Sequence, residues 1–259
     1  ASYKTSGWGV SMGLERWSKI GNLGLSYAYT SGNIENNGGT GIVDASQHEL
    51  GAFWRMDSGP LYAFGRISAS YLSLSSTRTL TATADDTEYT GTTTGDWNGW
   101  MVSGASGVSY DLDVGNRLTF RPKATLDYYR LQESGYDETG GGDALNLYVD
   151  GRTSDSVTAS TTVAAIYRLG RKRKDYTPLT FELEGGRRHN LAGSLGTTTA
   201  SFLDGEDFTL TPDGLDSSWL GEARILAGGM DFTWQLSARA EKTAENVGYS
   251  ARASLSLAF

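Results

Sequence analysis

Only two imidazoles are available to do chemistry in this chain, His48 and His189, and cysteine is absent. A Ser–His–Asp relay needs a histidine held between a nucleophile and a carboxylate, so it has few places to form. Disulfides, thiolate nucleophiles and cysteine-ligated metals have none. His189, between Arg188 and Asn190, reads as a rim residue at a strand end. Asp85-Asp86 with Glu88, and Asp204-Gly205-Glu206-Asp207, lack the ligand spacing of a calcium loop and read as solvated acidic loops. Gly140-Gly141-Gly142 has no strand-to-helix setting and reads as a loop, not a phosphate cradle. A net charge of −8 speaks against a nucleic-acid partner, which would need a basic face. The expectation is a protein that is not an enzyme and uses no metal or cofactor. What remains is a set of charged residues spaced along apolar stretches: Glu15, Glu49, Arg55, Arg66, Arg121, Lys123, Asp127, Glu182, Glu184, Arg188, Glu222, Arg224, Arg239 and Arg252.

The elements that carry these charges have a period of two. Trp8, Val10, Met12 and Leu14 alternate with Gly7, Gly9, Ser11 and Gly13, and Leu23, Leu25, Tyr27 and Tyr29 with Gly24, Ser26 and Ala28. Leu118, Phe120, Ala124, Leu126 and Tyr128 alternate with Arg121, Lys123, Thr125 and Asp127; Phe232, Trp234, Leu236 and Ala238 with Gln235, Ser237 and Arg239. Such alternation marks β-strands with one apolar face, and eleven such runs can be traced. The links between them alternate in length. Short turns fall near residues 18–22, 57–60, 111–116, 170–177 and 227–229. Longer polar links fall near 32–44, 76–96, 133–155 and 190–217, with a brief one near 242–246. Strict alternation puts every short turn at one end of the sheet.

Three features say that the apolar face meets lipid. The polar face is often tiny, as at Gly7, Gly9, Ser11, Gly13, Ser103, Ala105, Gly107 and Ser109, which suits a crowded lumen better than open water. Aromatics such as Trp8, Tyr29, Trp54, Tyr71, Trp100, Tyr110, Tyr128 and Tyr167 fall toward strand ends, where a girdle would meet headgroups. The charges keep to one parity, and a one-residue slip would turn Arg121, Lys123, Glu182, Glu184 and Arg224 into hydrocarbon. An Arg or Lys there costs about 2–4 kcal/mol. Arg16, Arg130 and Arg187 break the parity, but at strand ends, where long side chains snorkel. No stretch reaches the roughly 18–20 apolar residues of a spanning helix. The turn Arg171-Lys172-Arg173-Lys174 either meets anionic headgroups or is simply solvated.

The closing segment Arg252-Ala253-Ser254-Leu255-Ser256-Leu257-Ala258-Phe259 resembles the C-terminal assembly signal of outer-membrane proteins; Arg252, Leu257 and Phe259 match, and Ser254 stands where glycine is usual. The wider layout resembles the C-terminal translocator barrel of autotransporters in Gram-negative outer membranes. The likeness runs from Trp8-Gly9-Val10-Ser11-Met12-Gly13-Leu14-Glu15 and Leu25-Ser26-Tyr27-Ala28-Tyr29 through Arg121-Pro122-Lys123-Ala124-Thr125-Leu126-Asp127-Tyr128 and Phe181-Glu182-Leu183-Glu184 to the last hairpin. It implies one domain over residues 1–259, an all-β, transmembrane, antiparallel up-and-down barrel of about twelve strands. It also implies a helical linker threaded through the lumen, with an N-terminal passenger polypeptide delivered to the cell surface in type V secretion. The implied partners are membrane lipid and the outer-membrane barrel-assembly machinery, with the barrel itself a monomer.

Eleven strands leave one to find. The sequence opens at Ala1 without a signal peptide, so the first strand is expected either upstream, in a processed or truncated product, or near Leu145–Val149 or Phe208–Leu210. Other outer-membrane barrels fit less well. His48 is followed two residues on by Leu50, not the serine that outer-membrane phospholipases place there, and no Asp–His pairing of the protease kind is evident. A small-solute pore, or a barrel that binds through its long loops, stays open as an alternative. The charged lumen residues either hold a polar segment or set solute selectivity, or they pair with one another to stabilise the wall.

Overall fold

A computed structural model describes residues 3–36, 40–84, 87–142, 144–170, 177–202, 205–212, 214, 216–229, 232–244 and 246–257, with backbone alone at 82–84, 87–89 and 177. Phe259 of the closing motif, the 171–174 turn, and the acids Asp85, Asp86 and Asp204 lie outside them. The strands are β1 (Tyr3–Ser18), β2 (Gly21–Asn36), β3 (Gly41–Ser58), β4 (Leu61–Ala84), β5 (Thr87–Tyr110), β6 (Leu112–Val114), β7 (Leu118–Glu133) and β8 (Tyr136–Asp137). They continue with β9 (Leu147–Val149), β10 (Arg152–Arg168), β11 (Thr177–Ser194), β12 (Thr198–Phe202), β13 (Phe208–Leu210), β14 (Ser218–Gly228), β15 (Phe232–Lys242) and β16 (Val247–Leu257).

Eleven of these form one sheet in the order β1-β2-β3-β4-β5-β7-β10-β11-β14-β15-β16, each neighbour antiparallel to the last, with β6 added on β7. Every connection joins adjacent strands, so the sheet is an up-and-down meander. It curls around a common cavity lined by residues of β4, β5, β7, β10, β11, β14 and β15, which marks the concave face. Among the described residues β1 and β16 do not pair with each other. Strict alternation over eleven strands makes these two edges run the same way.

The burial pattern is inside out for a protein in water. Among the described residues the buried apolar side chains are few, Ala164, Ile166, Pro178 and Ala200, while Ser68, Ser70, Ser109, Ser156, Ser160, Thr162, Glu182, Glu184 and Ser218 are buried. Leu14, Leu25, Leu50, Ile67, Trp100, Leu126, Leu183, Leu236 and Leu255 stand exposed on the other face. Water-soluble proteins do the reverse; here the convex surface is dressed for hydrocarbon. Pairing in register also lines up Tyr29, His48, Tyr71 and Trp100 across β2 to β5. Tyr29 and His48 lie 4.9 Å apart, Tyr71 and Trp100 5.1 Å, and Trp8 extends the band at 5.5 Å from Tyr29.

Two local causes shape the wall. At the 59–60 link the chain must reverse within two residues, and Gly59 does so with φ of 60°, a conformation that penalises a β-carbon. On the concave face, Phe53 lies flat over Gly24, where a β-carbon would collide with the ring and approach the Leu14 carbonyl oxygen to 2.7 Å. Phe64 covers Gly107 in the same way. A Gly24→Ala protein is therefore expected to lose about 1–3 kcal/mol through the displaced ring. Its unfolding midpoint in urea should fall, and Phe53→Leu in the same chain should recover most of the loss.

The end of the sheet with the long links departs from the expected loops. Residues 76–96 are not a long polar link: β4 and β5 run on as a hairpin to Ala84 and Thr87. Threonines drive this, because β-branched side chains favour extended backbone, and Thr79–Thr92 and Thr81–Thr90 meet across the strands. Residues 147–149 and 208–210 are strands, but neither joins the wall. They belong to a second sheet, β13-β12-β9-β8, made from the two longest links. That sheet folds against the concave face of β5. The Tyr136 ring stacks on Trp97 at 4.4 Å, and a β-carbon on Gly95 would press into it. Burial there pushes the Tyr136 hydroxyl above the usual phenol range, against the effect of its hydrogen bond to Ser76. Arg78 clamps Glu138 at 2.5 Å, and Arg152 clamps Glu133 at 2.6 Å.

Candidate functional site

The concave face of β7, β10, β11, β14 and β15 holds the charge. Alternation presents Arg121, Lys123 and Asp127 from β7, Glu182, Glu184 and Arg188 from β11, Glu222 and Arg224 from β14, and Arg239 from β15. All nine line one cavity of about 450 Å³.

Arg224 is its centre. Its guanidinium donates to Glu222 at 2.6 Å, to Glu182 at 2.8 Å and to Glu184 at 2.8 Å. Register explains the meeting: Glu182 is directly opposite Arg224, and Glu184 is opposite Glu222, so four ionised groups share two adjacent strands. Glu184 also accepts from Thr162 at 2.6 Å and from Lys123 at 3.4 Å. Three carboxylates this close would repel one another strongly, and the planar fork of an arginine satisfies several at once. Toward the short-link end Arg121 donates to Asp111 at 2.5 and 3.0 Å. Toward the other end Arg188 and Arg239 share Glu241 at 2.9 and 3.0 Å, and Ser218 donates to it as well. The concave face thus carries a ladder of ion pairs running along its strands. One donor and one acceptor stand out: Arg188 Nε and Asn190 Oδ1 are buried on this face without a hydrogen-bond partner among the described residues.

The other predicted lumen residues are not gathered here. Glu15 pairs with Arg55 at 2.7 Å across β1 and β3, and Asn22 also donates to Glu15. Glu49 accepts from Ser70 at 3.4 Å. Arg66 and Arg252 enter none of the ion pairs among the described residues, although their parity places them on the concave face. Leu257 ends β16 opposite Phe232, on the convex face.

Sequence reasoning missed several partners. Glu241 shares the parity of Arg239 and is found by extending the last strand pair one step further. Asp111 falls in what reads as a turn. Arg78, Glu133, Glu138 and Arg152 fall in stretches read as loops, where no periodicity pointed to a pairing. Of the two histidines, His48 has Tyr27 Oη 2.8 Å from its Nδ1 within the outward aromatic band, and His189 is exposed. Among the described residues no group of three histidine or acidic side chains is placed to hold a metal ion.

Comparison with known proteins bears on what this wall encloses. A family model described as the autotransporter beta-domain matches residues 1–244. No curated protein matches the sequence. Among solved structures, the translocator domain of autotransporter NalP from Neisseria meningitidis superposes with a TM-score of 0.74 at 14% identity, covering 99% of this chain and 82% of that one. The beta domain of the Bordetella autotransporter BrkA gives 0.58 at 17% identity, covering 100% and 93%. The transport unit of the autotransporter AIDA-I from Escherichia coli gives 0.61 at 13% identity, covering 99% and 84%.

Proposed function

Because the chain belongs to the autotransporter β-domain family, outer-membrane barrels that translocate and anchor a passenger in type V secretion, we propose that its charged lumen wall holds the polypeptide that links barrel to passenger. The observation that carries this is the pair of orphaned groups in a charge-balanced cavity. Most carboxylates and cations there neutralise one another, which leaves little net field to select solutes. Arg188 Nε and Asn190 Oδ1 are a donor and an acceptor without a hydrogen-bond partner among the described residues. Leaving such a buried group unsatisfied costs about 1–3 kcal/mol each. A peptide or side-chain amide threaded through the lumen offers the complementary acceptor and donor. In the same reading Arg252, Leu257 and Phe259 present the closing strand to the barrel-assembly machinery, the barrel works as a monomer, and it forms or breaks no covalent bond.

The chain contains no cysteine, so engineered thiols report without background. With an epitope-tagged passenger and its linker fused ahead of residue 1, a cysteine at Asp127 or Asn190 should cross-link to cysteines placed along the linker. One at Leu183, on the lipid face, should not. The tag should be accessible to antibody on intact cells only when the barrel is present. Passenger at the surface without the barrel, or no cross-link from any lumen position, would defeat the proposal.

A further inference from the structure

The convex face carries a depression of about 890 Å³ that the lumen reading does not use. Its floor is Ala52, Gly65, Gly104 and Ser106, set side by side by the pairings Trp54 with Gly65, Gly65 with Ser106, and Ile67 with Gly104. Trp54, Ile67, Leu126 and Tyr128 stand around it, and Arg16 lies at the end nearest the short 19–20 link. The small side chains between these larger ones leave the notch.

Packing within the chain does not require these glycines. A β-carbon at Gly65 would come no nearer than 3.9 Å to Trp54, and one at Gly104 no nearer than 3.8 Å to the Arg66 carbonyl. Gly24 and Gly107, by contrast, lie under rings. Glycine weakens a strand, and in its interior often marks a place where a ligand approaches closely. The second observation is Arg16. It sits on the lipid-facing parity of β1, is exposed, and joins none of the ion pairs among the described residues. It stands two residues before the end of its strand, at the periplasmic level of the membrane where headgroups lie, because short links of such barrels face the periplasm. A cation at the wet end of an apolar trough complements a molecule with a phosphate at one end and a hydrocarbon chain at the other.

We propose that this trough is a binding site for one phospholipid of the periplasmic leaflet, an acyl chain lying over Gly65 and Gly104 and the phosphate held by the Arg16 guanidinium. Arginine suits the role because its fork can meet two phosphate oxygens at once. The site depends on the membrane placement of the sheet and not on what the lumen holds, so the two readings fail separately.

The test is native mass spectrometry of the folded barrel in detergent, titrated with phosphatidylglycerol or with diacylglycerol of the same chains. The wild-type chain should retain one phosphatidylglycerol and prefer it to diacylglycerol. Arg16→Gln should abolish that preference. Gly65→Leu with Gly104→Leu should weaken retention of both lipids by about tenfold, the equivalent of a few methylenes no longer buried. Ala223→Leu, on the lipid face of β14, should change nothing. If the double variant does not fold, the Arg16→Gln comparison decides alone. Unchanged lipid binding in folded variants overturns the site, and so does retained preference for the phosphate in Arg16→Gln. A wild-type dimer that the double variant separates, with lipid binding untouched, would overturn it in favour of a second copy.

Discussion

Replacing Arg224 with alanine should lower the stability of the folded barrel by about 3–5 kcal/mol, the range seen when one partner of a buried ion pair is removed. The Glu182 and Glu184 side chains are 6% and 10% exposed and Glu222 is 21% exposed, so none can fully recover its hydration when the guanidinium is gone. The loss is larger than that of a surface salt bridge, worth about 0–1 kcal/mol, because three like charges are left facing one another. Urea unfolding in detergent micelles, followed by circular dichroism and by the heat-dependent gel mobility of folded barrels, should show the midpoint falling. Glu182→Gln with Glu184→Gln in the alanine background should recover most of the loss, since two amides neither repel nor require a cation. Arg224→Lys should fall between, as one ammonium cannot reach three carboxylates with the same geometry. An alanine protein as stable as the parent would mean that the cavity is hydrated like bulk water and that the ladder is ornamental.

Leu183→Arg is the second large effect, expected at about 2–4 kcal/mol for a cation near the middle of the hydrocarbon. Leu183 is 66% exposed, midway along β11, and its neighbours Glu182 and Glu184 face the lumen. One position along the strand separates a favourable charge from a forbidden one. The substitution should slow insertion into lipid vesicles and leave a larger unfolded, protease-sensitive fraction. Asp127→Ser, on the concave face of β7, where among the described residues Asp127 accepts one hydrogen bond, from Thr125 at 3.3 Å, should shift the midpoint by no more than about 0.5 kcal/mol. Equal effects at the two sites would contradict the assignment of faces on which both the lumen and the lipid trough rest.

Much of the fold is legible in the sequence because a strand reports its faces directly: side chains alternate with a period of two, so Glu182-Leu183-Glu184 names inside and outside without coordinates. The position of the wall strands, their order and the parity of the charges follow from that alternation and from the short turns. Where the periodic signal fades, the reading fails. From Thr77 to Thr94 threonine dominates and Asp85, Asp86 and Glu88 interrupt the run, so large apolar side chains are scarce and the hairpin extension looks like a loop. Leu147–Val149 and Phe208–Leu210 are too short to show a period, and only their pairing with β12, and of β9 with β8, gives them a sheet.

For the concave face, the sequence by itself determined the side of its strand that each charged residue takes, because register parity is a local property of each strand. Which charges meet was decided only by tertiary structure. Arg224 finds Glu182 and Glu184 because β11 and β14 pair in one register out of several that would preserve parity. Arg188 finds Glu241 across two strands and more than fifty residues. The convex notch is likewise invisible in one dimension: Ala52, Gly65, Gly104 and Ser106 are unremarkable small residues on three strands until pairing sets them side by side. Alternation fixes the direction of a side chain, whereas a cavity or an ion pair needs the relative shift of neighbouring strands, and that is set by the long-range packing of the whole sheet.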